Sequence, residues 1–200
     1  MLKLYDNQDS ANGYKIRLLF SLIDMPYELI EVDIFKGGSR TPEYLAMNPN
    51  GRIPLLALED GTYLPESGAI LHYVAEGSDF LPLGRADHAQ VLHWIFFEQY
   101  YHEPTVAVSR FIVHHTPADS PRRGEELTTK RKSGHAALAI MEQQLNTHDW
   151  FVADRPSIAD IALFAYTHVA PEGGIELDGY DHIKGWIERI RQLPGFVSIR

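Results

Sequence analysis

With 200 residues and 44% hydrophobic content, the chain can bury a core in one large domain or two small ones, which excludes the disordered and fibrous classes. A formal charge of -9 argues against a nucleic-acid partner, and the lack of a long apolar run argues against a membrane span or signal peptide, so a cytoplasmic protein is expected. Because the chain contains no cysteine, it has no disulfide, thiolate metal ligand or cysteine nucleophile, and any thiol chemistry must use a thiol supplied by a ligand.

The N-terminal residues predict a βαβ unit. Leu2–Tyr5 reads as a short strand, and Ser10 and Asn12 supply N-cap chemistry for a helix with apolar residues at helical spacing. Pro26 prevents this helix from continuing. Residues 30–34 then alternate apolar and polar side chains as in a second strand, which should run parallel to the first.

A hairpin and a further helix follow. A short helix is expected over residues 42–47. Residues 55–58 and 62–64 read as strands that flank an Asp-Gly dipeptide at 60–61, which suits a hairpin turn with positive φ. The apolar run over residues 67–76 predicts the helix that completes this part of the chain.

The remainder of the chain predicts an all-helical domain. Residues 77–84 are rich in helix breakers, so we expect domains over residues 1–77 and 86–200 with a linker at 78–85. Predicted helices cover residues 86–115 with a break at Pro104, residues 127–145, the segment after a variant capping box at Ser157 and Asp160, and residues 183–190.

The segment Asn48–Ser67 carries the strongest functional signal. Pro54 cannot donate to a sheet ladder, and an X-Pro bond is the kind that readily becomes cis, which would leave the backbone groups of Ile53 unpaired. Such groups can bind an extended peptide as an added strand. Because Ser67 starts a helix, and a helix N-terminus attracts carboxylates, the segment predicts a site for a small anionic peptide.

Four motifs occur in a specific order: SANGYKIR at 10–17, NPNGRIPLL at 48–56, ESGAILHYVAE at 66–76 and SIADIALF at 157–164. Together they resemble a cytosolic glutathione transferase over essentially the whole chain. The segments DNQDSANGYKI and KGGSRTPEYL most resemble the bacterial nu class, in which Thr and Asn replace a catalytic Tyr or Cys. The resemblance implies an α/β thioredoxin-like βαβαββα domain followed by an all-α domain, a homodimer, and glutathione as co-substrate.

The resemblance also implies that Ser10 and Asn12 act on the sulfur of glutathione. Ser10 stands where the nu class has Thr, and it keeps the hydroxyl. Stabilising the thiolate by one pKa unit needs ~1.4 kcal/mol, which one charge-assisted hydrogen bond can supply. Either residue could instead only cap the helix. Tyr5 is the third candidate, because other classes carry a catalytic tyrosine at the end of this strand.

Other residues would hold the rest of glutathione. Glu66 would pair with the γ-glutamyl ammonium and Ser67 with the γ-glutamyl carboxylate, although both fit an ordinary helix start. Ile53, before a cis Pro54, would pair with the cysteinyl main chain, although a plain strand start fits too. The candidates for the glycyl carboxylate, each of which also fits a solvated side chain, are Ser39, Arg40, Arg52 and Lys36.

The second substrate is an electrophilic carbon, a peroxide or a disulfide, and the sequence does not select among them. Its pocket would be lined by Tyr5, Tyr100, Tyr101 and Arg110, and Lys130 and Arg131 could also approach the ligand. The ten histidines show no metal-ligand spacing, so no metal site is expected. Two alternatives remain: a transferase-fold protein that binds ligands or partners without catalysis, and an isomerase or dehalogenase like the zeta class, whose Ser-Ser-Cys run is absent here.

Overall fold

The structure, a computed structural model, describes residues 1–199 and divides into two compact units. One unit contains residues 1–78 together with the segment from Leu193, and the other contains residues 79–192. The boundary after Ser78 lies inside the predicted breaker-rich segment. The predicted second domain extends to the end of the chain, whereas in the structure the segment from Leu193 packs with the first unit.

The first unit has the predicted thioredoxin-like βαβαββα order. The sheet has the strand order β2-β1-β3-β4, with β1 and β2 parallel and the other pairs antiparallel. Helices α1 and α3 pack against each other. The elements are β1 (Leu2–Asp6), α1 (Ala11–Leu22), β2 (Tyr27–Glu31), α2 (Pro42–Met47), β3 (Leu55–Ala57), β4 (Tyr63–Pro65) and α3 (Ser67–Ala75).

Strand β2 ends earlier than the alternation at residues 30–34 predicts. It stops at Glu31, and the Asp33 carboxylate accepts hydrogen bonds from the backbone N–H groups of Phe35 and Lys36, both at 3.1 Å. These bonds favour a 3₁₀ turn over continued pairing, since a short acidic side chain that caps local N–H groups competes with a sheet. The strand prediction for residues 32–34 is therefore wrong.

The C-terminal segment packs on α1. The Tyr14 hydroxyl donates to the carbonyl of Val197 at 2.7 Å, and the Ser21 hydroxyl donates to the carbonyl of Gly195 at 2.7 Å. Gly195 has a φ of 83°, and a Cβ built there would lie 2.7 Å from the Ser21 carbonyl oxygen. Glycine at this position therefore allows the turn and the close backbone approach.

The second unit is helical, as predicted. Pro104 lies in the first turn of α5, directly after a π-helical turn over Glu98–His102 that separates it from α4, so the long predicted helix is interrupted. Helix α7 is buried throughout its length. The elements are α4 (Arg85–Phe97), α5 (Glu103–His115), α6 (Glu125–Leu145), α7 (Ile158–Thr167) and α8 (Asp181–Arg191).

Candidate functional site

The start of α1 carries the two predicted thiol-binding side chains. Ser10 is the N-cap residue, and its hydroxyl accepts a hydrogen bond from the Gly13 N–H at 3.3 Å. Asn12 lies in the first turn and is half-buried. Ser10 therefore does cap the helix, and its hydroxyl hydrogen can still be donated because a hydroxyl both accepts and donates.

A buried lysine joins the starts of α1 and α3. The Lys15 side chain has no exposed surface, and its Nζ lies 2.7 Å from Asn12 Oδ1 and 3.3 Å from Ser67 Oγ. Ser67 Oγ in turn lies 3.4 Å from Asn12 Oδ1. Asn12 and Ser67, which are predicted to bind the sulfur and the γ-glutamyl carboxylate of one ligand, are therefore neighbours. Lys15 is not among the predicted site residues. The sequence pattern that could have identified it is a lysine one turn after Asn12, among buried positions of the same helix.

The start of α3 places Glu66 and Ser67 together. Glu66 is exposed and has a φ of 72°, a backbone conformation that glycine adopts far more readily than glutamate. Its side chain makes no capping hydrogen bond to α3. Ser67 is buried, and it opens a helix whose first N–H groups have no partner within the helix. This helix start therefore provides an exposed carboxylate beside N–H donors.

The peptide bond between Ile53 and Pro54 is cis, as predicted. No backbone–backbone hydrogen bond joins Ile53 to another residue in the range 1–199. The carbonyl just before it, that of Arg52, accepts hydrogen bonds from Tyr44 Oη at 2.8 Å and Asn48 Nδ2 at 2.9 Å. The segment is thus fixed by its neighbours while the backbone groups of Ile53 are available for a ligand.

The candidates for the glycyl carboxylate differ in how they are held. Ser39 is buried in the 3₁₀ turn Gly38–Arg40. Arg40 donates from Nη1 to the Asn50 carbonyl at 3.0 Å and packs against Gly51, so it is partly engaged. The Arg52 side chain is exposed. Lys36 is also exposed, and it pairs with Asp33 at 3.1 Å. Arg52 thus extends into solvent, whereas Arg40 and Lys36 have protein partners.

Tyr5 lies in β1 and packs into the core. Its ring meets the Tyr44 ring edge to face at a centroid distance of 6.3 Å, within a cluster that includes Val32 and Leu55. It pairs in the sheet with Ile30 and Leu55. This environment supports a packing role for most of the Tyr5 ring.

Asp6 and Arg17 form a buried ion pair below the start of α1. Arg17 Nε lies 3.2 Å from Asp6 Oδ2, and Asp6 is fully buried. Burial raises the pKa of the Asp6 carboxyl to about 7, against the lowering effect of Arg17. Arg17 Nη2 also donates to the carbonyls of Gln8 at 2.8 Å and Ser10 at 3.4 Å, so it holds the loop that precedes α1. Neither charge is among the predicted site residues.

The predicted acceptor-pocket residues of the second unit lie on α5 and the π-helical turn before it. Tyr100 and Tyr101 are exposed, and the Tyr101 ring stacks on Phe97. Arg110 is buried and pairs through Nε with Glu172 at 2.6 Å. Arg131 donates to the Gly173 carbonyl at 2.9 Å, while Lys130 is half-buried.

Residues 1–199 contain neither a cluster of metal-ligand type nor a helix suited to a membrane. No group of three or more His, Cys, Asp or Glu side chains there is arranged to hold a metal ion. Among the helices of the same range, none combines the length and apolar character required to cross a membrane.

Comparison with known proteins gives matches over nearly the whole chain. The glutathione S-transferase N-terminal domain matches residues 1–76, and the C-terminal domain of that family matches residues 105–194. The disulfide-bond oxidoreductase YfcG of Escherichia coli (strain K12) is 32% identical over 192 residues, which cover 92% of this chain and 88% of that protein.

Solved structures agree with this match. A glutathione S-transferase from Pseudomonas fluorescens (Pf-5) superposes with a TM-score of 0.96 at 48% identity, over 99% of this chain and 98% of that chain. A possible glutathione S-transferase from Rhodopseudomonas palustris gives 0.95 at 43% identity, over 99% and 97% of the two chains. On the strength of both domain matches, this chain belongs to the glutathione S-transferase family and is a glutathione-dependent enzyme.

Proposed function

We propose that the chain binds glutathione along the starts of α1 and α3, with Ser10 and Asn12 as hydrogen-bond donors to the sulfur. The observation that carries this proposal is the 3.4 Å distance between Ser67 Oγ and Asn12 Oδ1. A γ-glutamyl carboxylate bound at Ser67 would place the cysteinyl group of the same ligand near the start of α1. Two donors beside the positive end of a helix dipole favour the thiolate over the thiol.

The γ-glutamyl end of glutathione carries both an ammonium and a carboxylate, and the start of α3 offers a partner for each. Glu66 is exposed and can pair with the γ-glutamyl ammonium, while the backbone N–H groups at the start of α3, including that of Ser67, receive the carboxylate. The unpaired backbone of Ile53 supports main-chain pairing with the cysteinyl residue. At the glycyl end we favour Ser39 and the exposed Arg52, with Arg40 able to contribute its remaining guanidinium donors.

We infer that the reaction is disulfide reduction by two molecules of glutathione. The support is the 32% identity to a disulfide-bond oxidoreductase and the resemblance to the nu class. One glutathione thiolate attacks the substrate disulfide, forming a mixed disulfide and releasing a substrate thiolate. A second glutathione then attacks the mixed disulfide, which releases the other substrate thiol and glutathione disulfide. The chain itself contributes no sulfur, since it has no cysteine.

Substitution at the start of α1 tests this proposal. We expect Ser10→Ala and Asn12→Ala each to lower kcat/KM for a small disulfide about tenfold, the loss of roughly one charge-assisted hydrogen bond. Ser10→Thr should retain activity, and Asn146→Ala, an exposed residue after α6, is the matched control. Unchanged rates for both alanine variants, with a disulfide and with an aryl halide, would reject the catalytic assignment.

We infer a cytoplasmic homodimer, and the support is the resemblance to the cytosolic transferases. Sedimentation velocity at several protein concentrations tests the dimer, and cell fractionation tests the location. Calorimetric titration with glutathione measures the affinity of the proposed site.

A further inference from the structure

Lys15 is a fully buried lysine in a unit whose other charges are mostly exposed. Burying an ammonium is costly unless hydrogen bonds within the protein replace those that it makes to water. The described bonds that do so include those to Asn12 Oδ1 at 2.7 Å and Ser67 Oγ at 3.3 Å. Lys15 lies three residues after Asn12 on α1, which puts both side chains on one helix face. The lysine therefore acts directly on two residues that the proposed function uses.

The ammonium also decides which way the Asn12 amide faces. An ammonium has three donors and no acceptor, so only the amide oxygen can face it at hydrogen-bond distance. The Ser67 hydroxyl fits the same arrangement, since it can accept from Lys15 and donate toward Asn12 Oδ1 at 3.4 Å. A reversed amide would set its own N–H groups against the ammonium, where donors would face donors.

We propose that Lys15 is a positioning residue that holds the Asn12 amide with its oxygen inward and its NH₂ group toward the sulfur of glutathione. This inference rests on the proposed role of Asn12. An NH₂ group at that place donates to a thiolate and stabilises it. A carbonyl oxygen there could only accept from the neutral S–H group and would favour the thiol. Lys15 therefore determines whether Asn12 activates glutathione or opposes its ionisation.

Two substitutions separate the effect of the Lys15 hydrogen bonds from the effect of its positive charge. Lys15→Met keeps an unbranched side chain, one atom shorter than lysine, and removes the donor, whereas Lys15→Gln keeps an NH₂ donor without the charge. In Lys15→Met we expect the thiol pKa of bound glutathione to rise by about one unit and kcat/KM to fall about tenfold at neutral pH. The ultraviolet absorbance of the thiolate measures the pKa. Lys15→Gln should recover most of both. Lys3→Met, which removes an exposed lysine from β1, is the control.

A second measurement needs no variant. In the wild-type complex with isotope-labelled protein, the Asn12 side-chain NH₂ should show nuclear Overhauser contacts to the cysteinyl β protons of glutathione. Contacts to the Lys15 ε protons instead would show a reversed amide and overturn the inference, even if Lys15→Met does not fold.

The outcomes distinguish this inference from the function on which it rests. If Asn12→Ala raises the thiol pKa and Lys15→Met leaves it unchanged, Lys15 does not position the amide, and the proposed function stands. If neither variant changes the thiol pKa, the assignment of Asn12 to the sulfur fails as well. A rise in both variants, with recovery in Lys15→Gln, supports the inference.

Discussion

Arg17 Nε lies 3.2 Å from the carboxylate of Asp6, at the buried end of β1. The same guanidinium donates to the carbonyls of Gln8 and Ser10, so one side chain connects the end of a central strand to the N-cap of α1. The pair holds the loop that carries Ser10. Neither Asp6 oxygen has a well-aligned hydrogen bond within residues 1–199, which explains why burial outweighs Arg17 in raising the Asp6 pKa.

Asp6 should make stability depend on pH. Its pKa is about 7 in the folded protein against an ordinary value of 3.8, so between these values the folded state binds more protons than the unfolded state. The free energy of unfolding then falls as pH rises through this interval, by at most about 4 kcal/mol. Asp6→Asn should remove this contribution. Urea unfolding at several pH values gives the difference in free energy of unfolding between the wild type and Asp6→Asn, in which the contributions of other titrating groups cancel. If this difference does not change with pH, Asp6 is not the source of the pH dependence.

Gly13 should tolerate no side chain. A Cβ built there would lie 1.8 Å from Asp6 Cγ, a carboxyl group fixed in the core between strand and helix. We expect Gly13→Ala to destabilise the protein by about 3 kcal/mol or more, because either α1 or the strand must shift. Gly185→Ala in α8 is the matched control, since its Cβ would meet only Arg189 Nη1 at 3.5 Å, and it should add about 0.5–1 kcal/mol of helix stability.

A double-mutant cycle locates the clash. In an Asp6→Ala background, Gly13→Ala should cost much less, since the carboxyl group that it meets is gone. An equal cost in both backgrounds would mean that the alanine disturbs something other than Asp6. Denaturant unfolding of the four proteins supplies all the free energies.

Local patterns were sufficient to predict most of the fold. Helical spacing identified α1, and the capping box at Ser157 and Asp160 identified the start of α7. The cis bond before Pro54 was expected from the family resemblance, since the local pattern also fits a plain strand start. The end of β2 was not predictable from alternation, because one side-chain cap from Asp33 outweighed the apolar pattern. Signals whose cause is local were therefore reliable, except where a side chain competes with the backbone.

The site was predictable only in part, because its buried charges depend on contacts between distant segments. The spacing of Lys15 from Asn12 indicates that they share a helix face, but the contact between Lys15 and Ser67 spans 52 residues of sequence and has no local signal. Asp6 and Arg17 look like ordinary surface charges until α1 packs on β1. Ser10 and Asn12, by contrast, were predictable because local sequence patterns identify the helix start at which they lie.

Replacing Glu66, which has a positive φ, by glycine should stabilise the fold and weaken glutathione binding. At a φ of 72°, glycine would relieve backbone strain, so Glu66→Gly should raise the free energy of unfolding by about 1 kcal/mol. The same change removes the carboxylate that we assign to the γ-glutamyl ammonium, so calorimetry should show weaker glutathione binding. Asp24→Gly, at a φ of 52° in an exposed turn outside the site, is the control and should affect stability alone. Unchanged binding in Glu66→Gly would remove Glu66 from the ligand contacts.

The second unit should depend strongly on the buried carboxylate of Asp160. Its oxygens accept hydrogen bonds from the Ser157 N–H and hydroxyl, the Phe151 N–H and Trp186 Nε1, all between 2.9 and 3.1 Å. Asp160→Ala leaves these buried donors without an acceptor, so we expect a loss of about 3–5 kcal/mol in denaturant unfolding. Asp154→Ala, an exposed residue nearby, should change stability by less than about 0.5 kcal/mol. If Asp160→Ala and Asp154→Ala lower the free energy of unfolding by similar amounts, the four hydrogen bonds of Asp160 contribute no more to stability than an exposed carboxylate does.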